Sequence, residues 1–298
     1  MSANGLPFSV KGTLPELTDP TMIVMLTGWI DASGAASSAM SHLITESAAR
    51  SLIEFDADTF IDFRARRPFM ELREGVNTRI AWNLPEIQVG TDDNERDVLF
   101  LTGPEPDMAW NAFAEAVAAL AKQLNVSKCI GLGAYPFGAP HTRSVGLTAT
   151  SPDPSIIDRL TLSKNSLDAP AGVEAIIEHA MHRIGIPAFC LWAQIPHYVA
   201  SMAYPAASAA LIDALCLETG LAYDTASLRQ EAVVQRERLD QLVSNNPDHS
   251  EMLGKLEEAY DAMNGVSSGE QDSPMEIPSV EDLAAEVEQF LRDQQPGG

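Results

Sequence analysis

Two short stretches concentrate the side chains that could move a proton or hold an anion. They are Tyr135, His141 and Arg143 in YPFGAPHTRSVG (135–146), and His197 and Tyr198 in PHYV (196–199). A histidine in a loop beyond a strand can serve as an acid, a base or a ligand. The same side chains can make structural hydrogen bonds, so the pattern leaves both roles open.

Glycines and carboxylates at predicted strand ends form a second candidate set. The set consists of Gly28, Trp29, Asp31, Gly103, Glu105 and Gly133. Ligands of open α/β sheets bind outside the carboxyl ends of the strands, where these loops would converge. In LTGWIDASGAASSAM (26–40), however, a tight turn followed by a helix cap from Asp31 or Ser33 explains the same residues. The sequence therefore predicts the place of a pocket and leaves its chemistry undecided.

Arginines cluster in one segment of a chain that has only 19 basic residues. They are Arg64, Arg66, Arg67, Arg73 and Arg79. At strand spacing, Arg64 and Arg66 share one face and Arg67 points to the other. The cluster suits salt bridges to the acidic remainder, a contact between subunits, or an anion pocket.

Motifs that would assign a cofactor, a metal or a catalytic residue are not found. There is no G-x-G-x-x-G, Gly-Lys-Ser/Thr, G-x-S-x-G or H-E-x-x-H pattern. Cys129, Cys190 and Cys216 lie in apolar settings without metal-ligand spacing, which predicts buried thiols in a reducing compartment. We therefore assign no cofactor, no metal and no catalytic residue, and a non-enzyme is favoured.

Strands alternate with helices along the first two thirds of the chain. Predicted strands are TMIVML (21–26), DVLFLTG (97–103), SKCIGLG (127–133) and PAFCLWAQIP (187–196), and helical patterns follow the first, second and fourth. Residues 51–89 alternate apolar and polar side chains, which indicates short antiparallel strands with Pro68 at an edge or bulge. The pattern predicts an α/β fold with a mixed, mostly parallel sheet.

Acidic residues are concentrated at the end of the chain. From Glu218 onward there are 18 acidic and 5 basic residues, against a net charge of −23 for the whole chain. We predict an α/β core at 1–222 and an acidic helical C-terminal extension at 223–298, with helices at 226–243, 250–263 and 279–291. The last helix places Val280, Leu283, Val287 and Phe290 on one face, so it needs a surface to cover.

The charge and hydropathy exclude two classes of partner. A chain of net charge −23 repels the phosphates of nucleic acids. Prolines interrupt the uncharged run 184–212, so no membrane-spanning segment is expected, and the N-terminus does not resemble a signal peptide. We expect a soluble cytoplasmic protein.

Five stretches, taken in order, resemble the proteasome assembly chaperone 2 family, in its actinobacterial branch of uncharacterised proteins. They are LTGWIDASGAAS, FIDFRARRPFMELREGVNTRIAWNLPEIQV, LFLTGPEPDMAWNAF, IGLGAYPFGAPHTRSVGLTATS and IPHYVASMAYPAASAALI. The resemblance implies a three-layer, phosphorylase/hydrolase-like α/β fold and assembly into a homo-oligomer, a trimer or larger. It also implies a role in proteasome assembly, for which relatives use a hydrophobic-Tyr-X tail. This sequence ends LRDQQPGG, so that mode of docking is not expected here.

Three functions remain open at this point, and the third is a purely structural oligomer with neither a ligand nor a client. The favoured one is a homo-oligomer that acts through protein contacts, with a protein client as its partner. The alternative is a hydrolase or phosphorylase of nucleoside-like small molecules that uses the crevice at the carboxyl ends of the strands. Its candidate residues would be Asp31, Glu105, His141, Arg143 and His197.

Overall fold

Ten strands are found among residues 7–164 and 166–265, which are the residues that the structure, a computed structural model, describes. They are β1 (Phe8–Val10), β2 (Thr21–Thr27), β3 (Arg50–Phe55), β4 (Phe69–Arg73), β5 (Val76–Ala81), β6 (Glu86–Thr91), β7 (Asp97–Pro104), β8 (Lys128–Phe137), β9 (Leu147–Thr150) and β10 (Ala188–Pro196). Eight form one sheet in the order β1-β3-β6-β7-β2-β8-β10-β9. The central strands β7, β2, β8 and β10 run parallel, and the outer pairs are antiparallel. The predicted mixed sheet is confirmed, and its parallel part is confined to the centre.

Helices cover both faces of this sheet. They are α1 (Ala35–Glu46), α2 (Ala57–Phe60), α3 (Trp110–Gln123), α4 (Pro154–Arg159), α5 (Val173–Arg183), α6 (Pro205–Thr219), α7 (Ala226–Ser244) and α8 (Pro247–Gly265). Alternate residues of β2 face opposite layers: Ile23 and Met25 pack with α1 and α6, whereas Met22 and Val24 pack with α3 and α5. A strand covered on both faces has a continuous apolar sequence, as TMIVML does. The three-layer α/β sandwich is confirmed.

The segment between β3 and β6 forms a separate hairpin. Strands β4 and β5 pair with each other as an antiparallel two-stranded sheet that is not joined to the main sheet. Pro68 directly precedes β4, where its missing N–H costs no ladder bond. The expected short antiparallel strands are confirmed. We call residues 62–82, which contain this hairpin, the arm.

The acidic end of the chain begins with two long helices. The predicted helices at 226–243 and 250–263 correspond to α7 and α8, and the predicted helix at 279–291 lies outside the described residues. Leu228 and Leu239 of α7 are buried in the same core cluster as α1 and α6. The division at 222/223 stays a prediction. None of the described helices is long and apolar enough to cross a membrane.

Candidate functional site

Asp31 ties the turn after β2 to the first turn of α1. Its Oδ1 accepts the backbone N–H of Ala36 at 2.8 Å, and its Oδ2 accepts the N–H and the hydroxyl of Ser37 at 3.0 and 2.7 Å. Gly34, just before the helix, has φ +61°, a left-handed conformation that favours glycine. The N-cap position of α1 is Gly34, and the Asp31 side chain caps the first turn of the helix from three residues further back, which is one of the two roles that the sequence left open.

Glu105 joins the end of β7 to β2 and α5. Its backbone N–H donates to the carbonyl of Thr27 at 2.7 Å, and its Oε2 accepts the N–H of Val173 at 3.0 Å. Val173 is the first residue of α5, so this carboxylate satisfies an N–H that the helix itself leaves unpaired. Gly103, also on β7, has φ +110°, and a Cβ there would lie 2.4 Å from the carbonyl oxygen of Leu84.

Gly28 and Trp29 line the same corner. A Cβ on Gly28 would lie 3.0 Å from Nη2 of Arg66, whose Nε donates to Oδ1 of Asp107 at 2.9 Å. Trp29 lies against Gly172, where a Cβ would come within 2.8 Å of the indole, yet 44% of Trp29 stays exposed. The corner between β2, β7 and α5 is therefore held together by the Arg66–Asp107 salt bridge and by carboxylates that accept backbone N–H groups.

Two carboxyl groups beneath this corner were not among the predicted site residues. Glu174 accepts the N–H of Leu26 at 2.9 Å, and Glu178, one helical turn later, accepts the hydroxyl of Thr150 at 3.2 Å. Burial is the main cause that raises the pKa of each carboxyl to about 8, and the charge of Glu174 contributes to the raised pKa of Glu178. The sequence signal that could have found them is their i, i+4 spacing in VEAIIEHAMH (173–182), next to apolar residues at helical spacing that would face the core.

Burial raises the pKa of the two thiols near this pair, those of Cys129 and Cys190. The Sγ of Cys190 lies 3.8 Å from Oε2 of Glu174. The prediction of buried cysteines is confirmed for these two, whereas Cys216 is half-buried. Thiols with raised pKa values are poor nucleophiles, so this group has a structural character.

His141 contacts both Tyr198 and helix α7. Nδ1 of His141 lies 2.6 Å from the hydroxyl of Tyr198, and Nε2 lies 3.1 Å from Oδ1 of Asp240 on α7. Tyr198 also accepts the backbone N–H of His141 at 2.8 Å. His197 begins the 3₁₀ turn that presents Tyr198, and the two rings stand edge to face. The imidazole of His141 is thus buried between two polar partners.

Arg143 fixes α8 to the loop between β8 and β9. Its Nε and Nη2 donate to the two carboxylate oxygens of Asp261 at 2.8 and 2.6 Å, and its Nη1 donates to Glu257 at 3.1 Å. Thr142 also donates to Glu257, and the hydroxyl of Tyr260 donates to the carbonyl of Ser144 at 3.0 Å. A guanidinium that bridges two carboxylates in this way clamps one segment to another. Here it clamps α8 to the body of the protein.

Tyr135 and Gly133 pack against the neighbouring strand β10. The hydroxyl of Tyr135 accepts from Nε2 of Gln194 at 3.1 Å. A Cβ on Gly133 would lie 2.4 Å from the ring of Trp192, so only glycine leaves room for that indole. These two candidates therefore shape the sheet at the end of β8.

The candidate residues divide into two groups rather than lining one cavity. A groove of about 350 Å³ between α6, α7 and the loop after β8 is lined by His141 and Arg143, but not by Asp31 or Glu105. A second cavity of about 210 Å³ is lined by Arg66, Arg67 and Trp82. Arg64 is exposed. Within the described ranges, no group of three or more His, Cys, Asp or Glu side chains could hold a metal ion.

The sequence model of the PAC2 family matches residues 25–243, which include both groups and all but the last residue of helix α7. The chain belongs to the PAC2 family. The family resemblance inferred from the five stretches is thereby confirmed. No curated protein matches the chain.

Solved structures of similar proteins share this PAC2 fold. A protein of unknown function from Corynebacterium glutamicum is 28% identical, with a TM-score of 0.80, over 87% of this chain and 98% of that one. A PAC2 family protein from Streptomyces avermitilis is 32% identical, with a TM-score of 0.71, over 78% and 99% of the two chains. A proteasome-assembly chaperone homologue from Mycobacterium tuberculosis is 26% identical, with a TM-score of 0.72, over 78% and 99%. The fold thus extends across actinobacterial relatives.

Proposed function

We propose that this PAC2 protein is a cytoplasmic homo-oligomer with a chaperone-like role, which it performs through protein–protein contacts. The observation that carries the proposal is the arm, residues 62–82. The similarity to a proteasome-assembly chaperone homologue supports the chaperone-like role. The hydrolase or phosphorylase alternative has no such support, because Asp31 is used as a helix cap and Arg143 is bound by two carboxylates.

The arm exposes an unusual amount of apolar surface. Its exposed apolar side chains are Phe69 (77%), Met70 (54%), Leu72 (50%), Val76 (62%), Ile80 (39%) and Trp82 (50%). An isolated two-stranded hairpin is at best marginally stable in water, and contiguous exposed apolar surface marks an interaction site. We therefore infer that another protein surface covers the arm.

The charge of the arm favours a second copy of this chain as the covering surface. The arm contains five arginines and three acidic residues, whereas the whole chain has a net charge of −23. A basic, apolar segment therefore meets an acidic surface on any other copy, which favours encounter between copies. Of the three roles that the spacing allowed, Arg66 forms a salt bridge with Asp107 of its own chain, and we propose a subunit contact for the exposed Arg64 and Arg67. We expect a trimer or a larger assembly, as the family resemblance implies.

Solution mass, measured by light scattering after gel filtration, tests this proposal. The wild-type chain should elute as a multiple of 32.1 kDa. The double variant Phe69→Ser/Met70→Ser removes apolar arm surface without changing charge, so it should shift the mass towards the monomer. Both side chains are more than half exposed, so the helical circular dichroism should stay as in the wild type.

The matched control is Leu217→Ser/Leu242→Ser. These leucines are 81% and 61% exposed on α6 and α7, outside the arm, so the control should keep the wild-type mass. A monomeric wild-type protein would refute the oligomer. An arm variant that keeps the wild-type mass would refute the arm as the contact between copies.

A further inference from the structure

The groove between α6 and α7 is an apolar surface that the described chain leaves open. Its walls include Val145, Ala206, Ala210 and Leu239, and its outer edge is Val233, which is 59% exposed. A volume of about 350 Å³ is large enough for apolar side chains from another segment. The groove is bounded by elements that lie far from the arm in sequence.

One segment of this chain has the pattern needed to fill such a groove. Residues 279–291 are predicted to form a helix with Val280, Leu283, Val287 and Phe290 on one face. A helix of this kind binds a groove through side chains spaced i, i+3, i+4 and i+7. The described structure contains no part of this segment, so its apolar face has no assigned surface.

The described part of the chain ends beside the groove. Asp261 of α8 binds Arg143, which lines the groove, and Gly265 is the last residue of α8. Four residues of helix advance about 6 Å. The thirteen residues 266–278 then span at most about 43–47 Å when fully extended. The segment 279–291 can therefore reach the groove of its own chain.

The arginines in the lining of the groove already have partners in their own chain. Arg143 binds Asp261 and Glu257, Arg229 pairs with Asp213, and Arg236 lies 3.9 Å from Asp240. The side chains of Arg229 and Arg236 nevertheless stay 63% and 54% exposed. Residues 279–291 contain four acidic residues and no basic one. These acidic residues could share the exposed arginines, but docking depends on the apolar face of the segment and on the reach of the linker.

We propose that residues 279–291 dock as an amphipathic helix in the α6–α7 groove of the same chain. Val280, Leu283, Val287 and Phe290 lie against the apolar walls, and the acidic residues lie beside the arginines of the rim. A linker of this length gives an effective concentration on the order of a millimolar, so even a weak intrinsic affinity keeps the helix docked.

Hydrogen exchange of the full-length chain, read by mass spectrometry, tests the docking. The variant Leu283→Asp/Val287→Asp places two charges on the apolar face. Its matched control, Ala285→Asp/Gln289→Asp, places the same charges with the same spacing on the opposite face. The 279–291 amides of the wild type and of the control should exchange about tenfold more slowly than those of the apolar-face variant. This protection is expected when the intrinsic dissociation constant of the segment is about one tenth of its effective concentration.

A second pair of variants tests the groove itself. Val233→Asp should release the segment as Leu283→Asp/Val287→Asp does, whereas Leu242→Asp, equally exposed on α7 but outside the groove, should not. If the 279–291 amides of the wild type exchange at the rate of an unfolded segment, the docking is overturned. Protection that is lost on dilution would also overturn it, because the segment would then be bound by another copy. Protection that survives Val233→Asp would overturn the assignment to this groove.

Discussion

Replacing Glu178 with glutamine should stabilise the protein, relative to the wild type, more at pH 8 than at pH 6. Glu178 is only 8% exposed, and burial beside Glu174 raises its pKa to about 8, from 4.5. Below pH 4.5 the group is protonated in both the folded and the unfolded chain. Between pH 4.5 and 8 the unfolded chain has released this proton and the folded chain still holds it, so stability falls as the pH rises.

The size of the effect follows from this window. Each pH unit well inside it costs about 1.4 kcal/mol, and the slope falls to half at the folded pKa, so the Glu178 carboxyl destabilises the wild type by about 2 kcal/mol between pH 6 and pH 8. At about 2–4 °C per kcal/mol, that corresponds to about 4–8 °C in the melting temperature. The glutamine of the Glu178→Gln variant would keep the oxygen that accepts the Thr150 hydroxyl and would remove the titration. The titration of Glu174 contributes a pH dependence of stability to both proteins.

The assay is a series of thermal melts of wild type and Glu178→Gln from pH 5 to pH 9. The melting temperature of the variant, relative to the wild type, should rise through pH 6–8 and then level off. Glu115→Gln on the exposed side of α3 removes one carboxylate without burial and is the charge-matched control. Parallel pH profiles for wild type and Glu178→Gln would refute the reasoning.

Three further substitutions test the packing of the site. Asp31→Ala should lose the cap of α1 and about 0.5–2 kcal/mol of unfolding free energy in urea titrations, and an unchanged midpoint would contradict it. Gly133→Ala should destabilise by about 1–3 kcal/mol, because its Cβ would overlap the ring of Trp192; an unchanged melt would show that the ring can move. Arg143→Lys keeps the charge but loses the paired bonds to Asp261, so limited proteolysis should cut α8 faster than in the wild type; equal rates would contradict the clamp.

Local patterns predicted most of the fold. The apolar run of β2, the helical spacing of α3 and the Gly220 that ends α6 with φ +73° each depend on residues close in sequence. A strand period of two and a helix period of 3.6 are visible in such windows. The separation of β4 and β5 from the main sheet was not visible, because strand partners are chosen across the whole chain.

The site was harder to predict for the same physical reason. The bond from His141 to Asp240 joins residues 99 apart, and the bond from Arg143 to Asp261 joins residues 118 apart. Its residue type and its place near a predicted strand end indicated that Arg143 could hold an anion, but not that the anion is a carboxylate of its own C-terminal helix. Glu174 and Glu178 were missed because glutamates are usually exposed, and only the sheet packed on α5 decides that Glu178 is buried and Glu174 half-buried.

The most direct test of the proposed oligomer is a photocrosslink from the arm. A photoreactive phenylalanine analogue at position 69 keeps an aromatic ring where Phe69 is 77% exposed. Illumination of the purified full-length protein should give a covalent dimer, with position 69 joined to a peptide from outside the arm of a second copy. Protein that stays at the mass of one chain, although the analogue has reacted, would contradict the arm as a contact between copies.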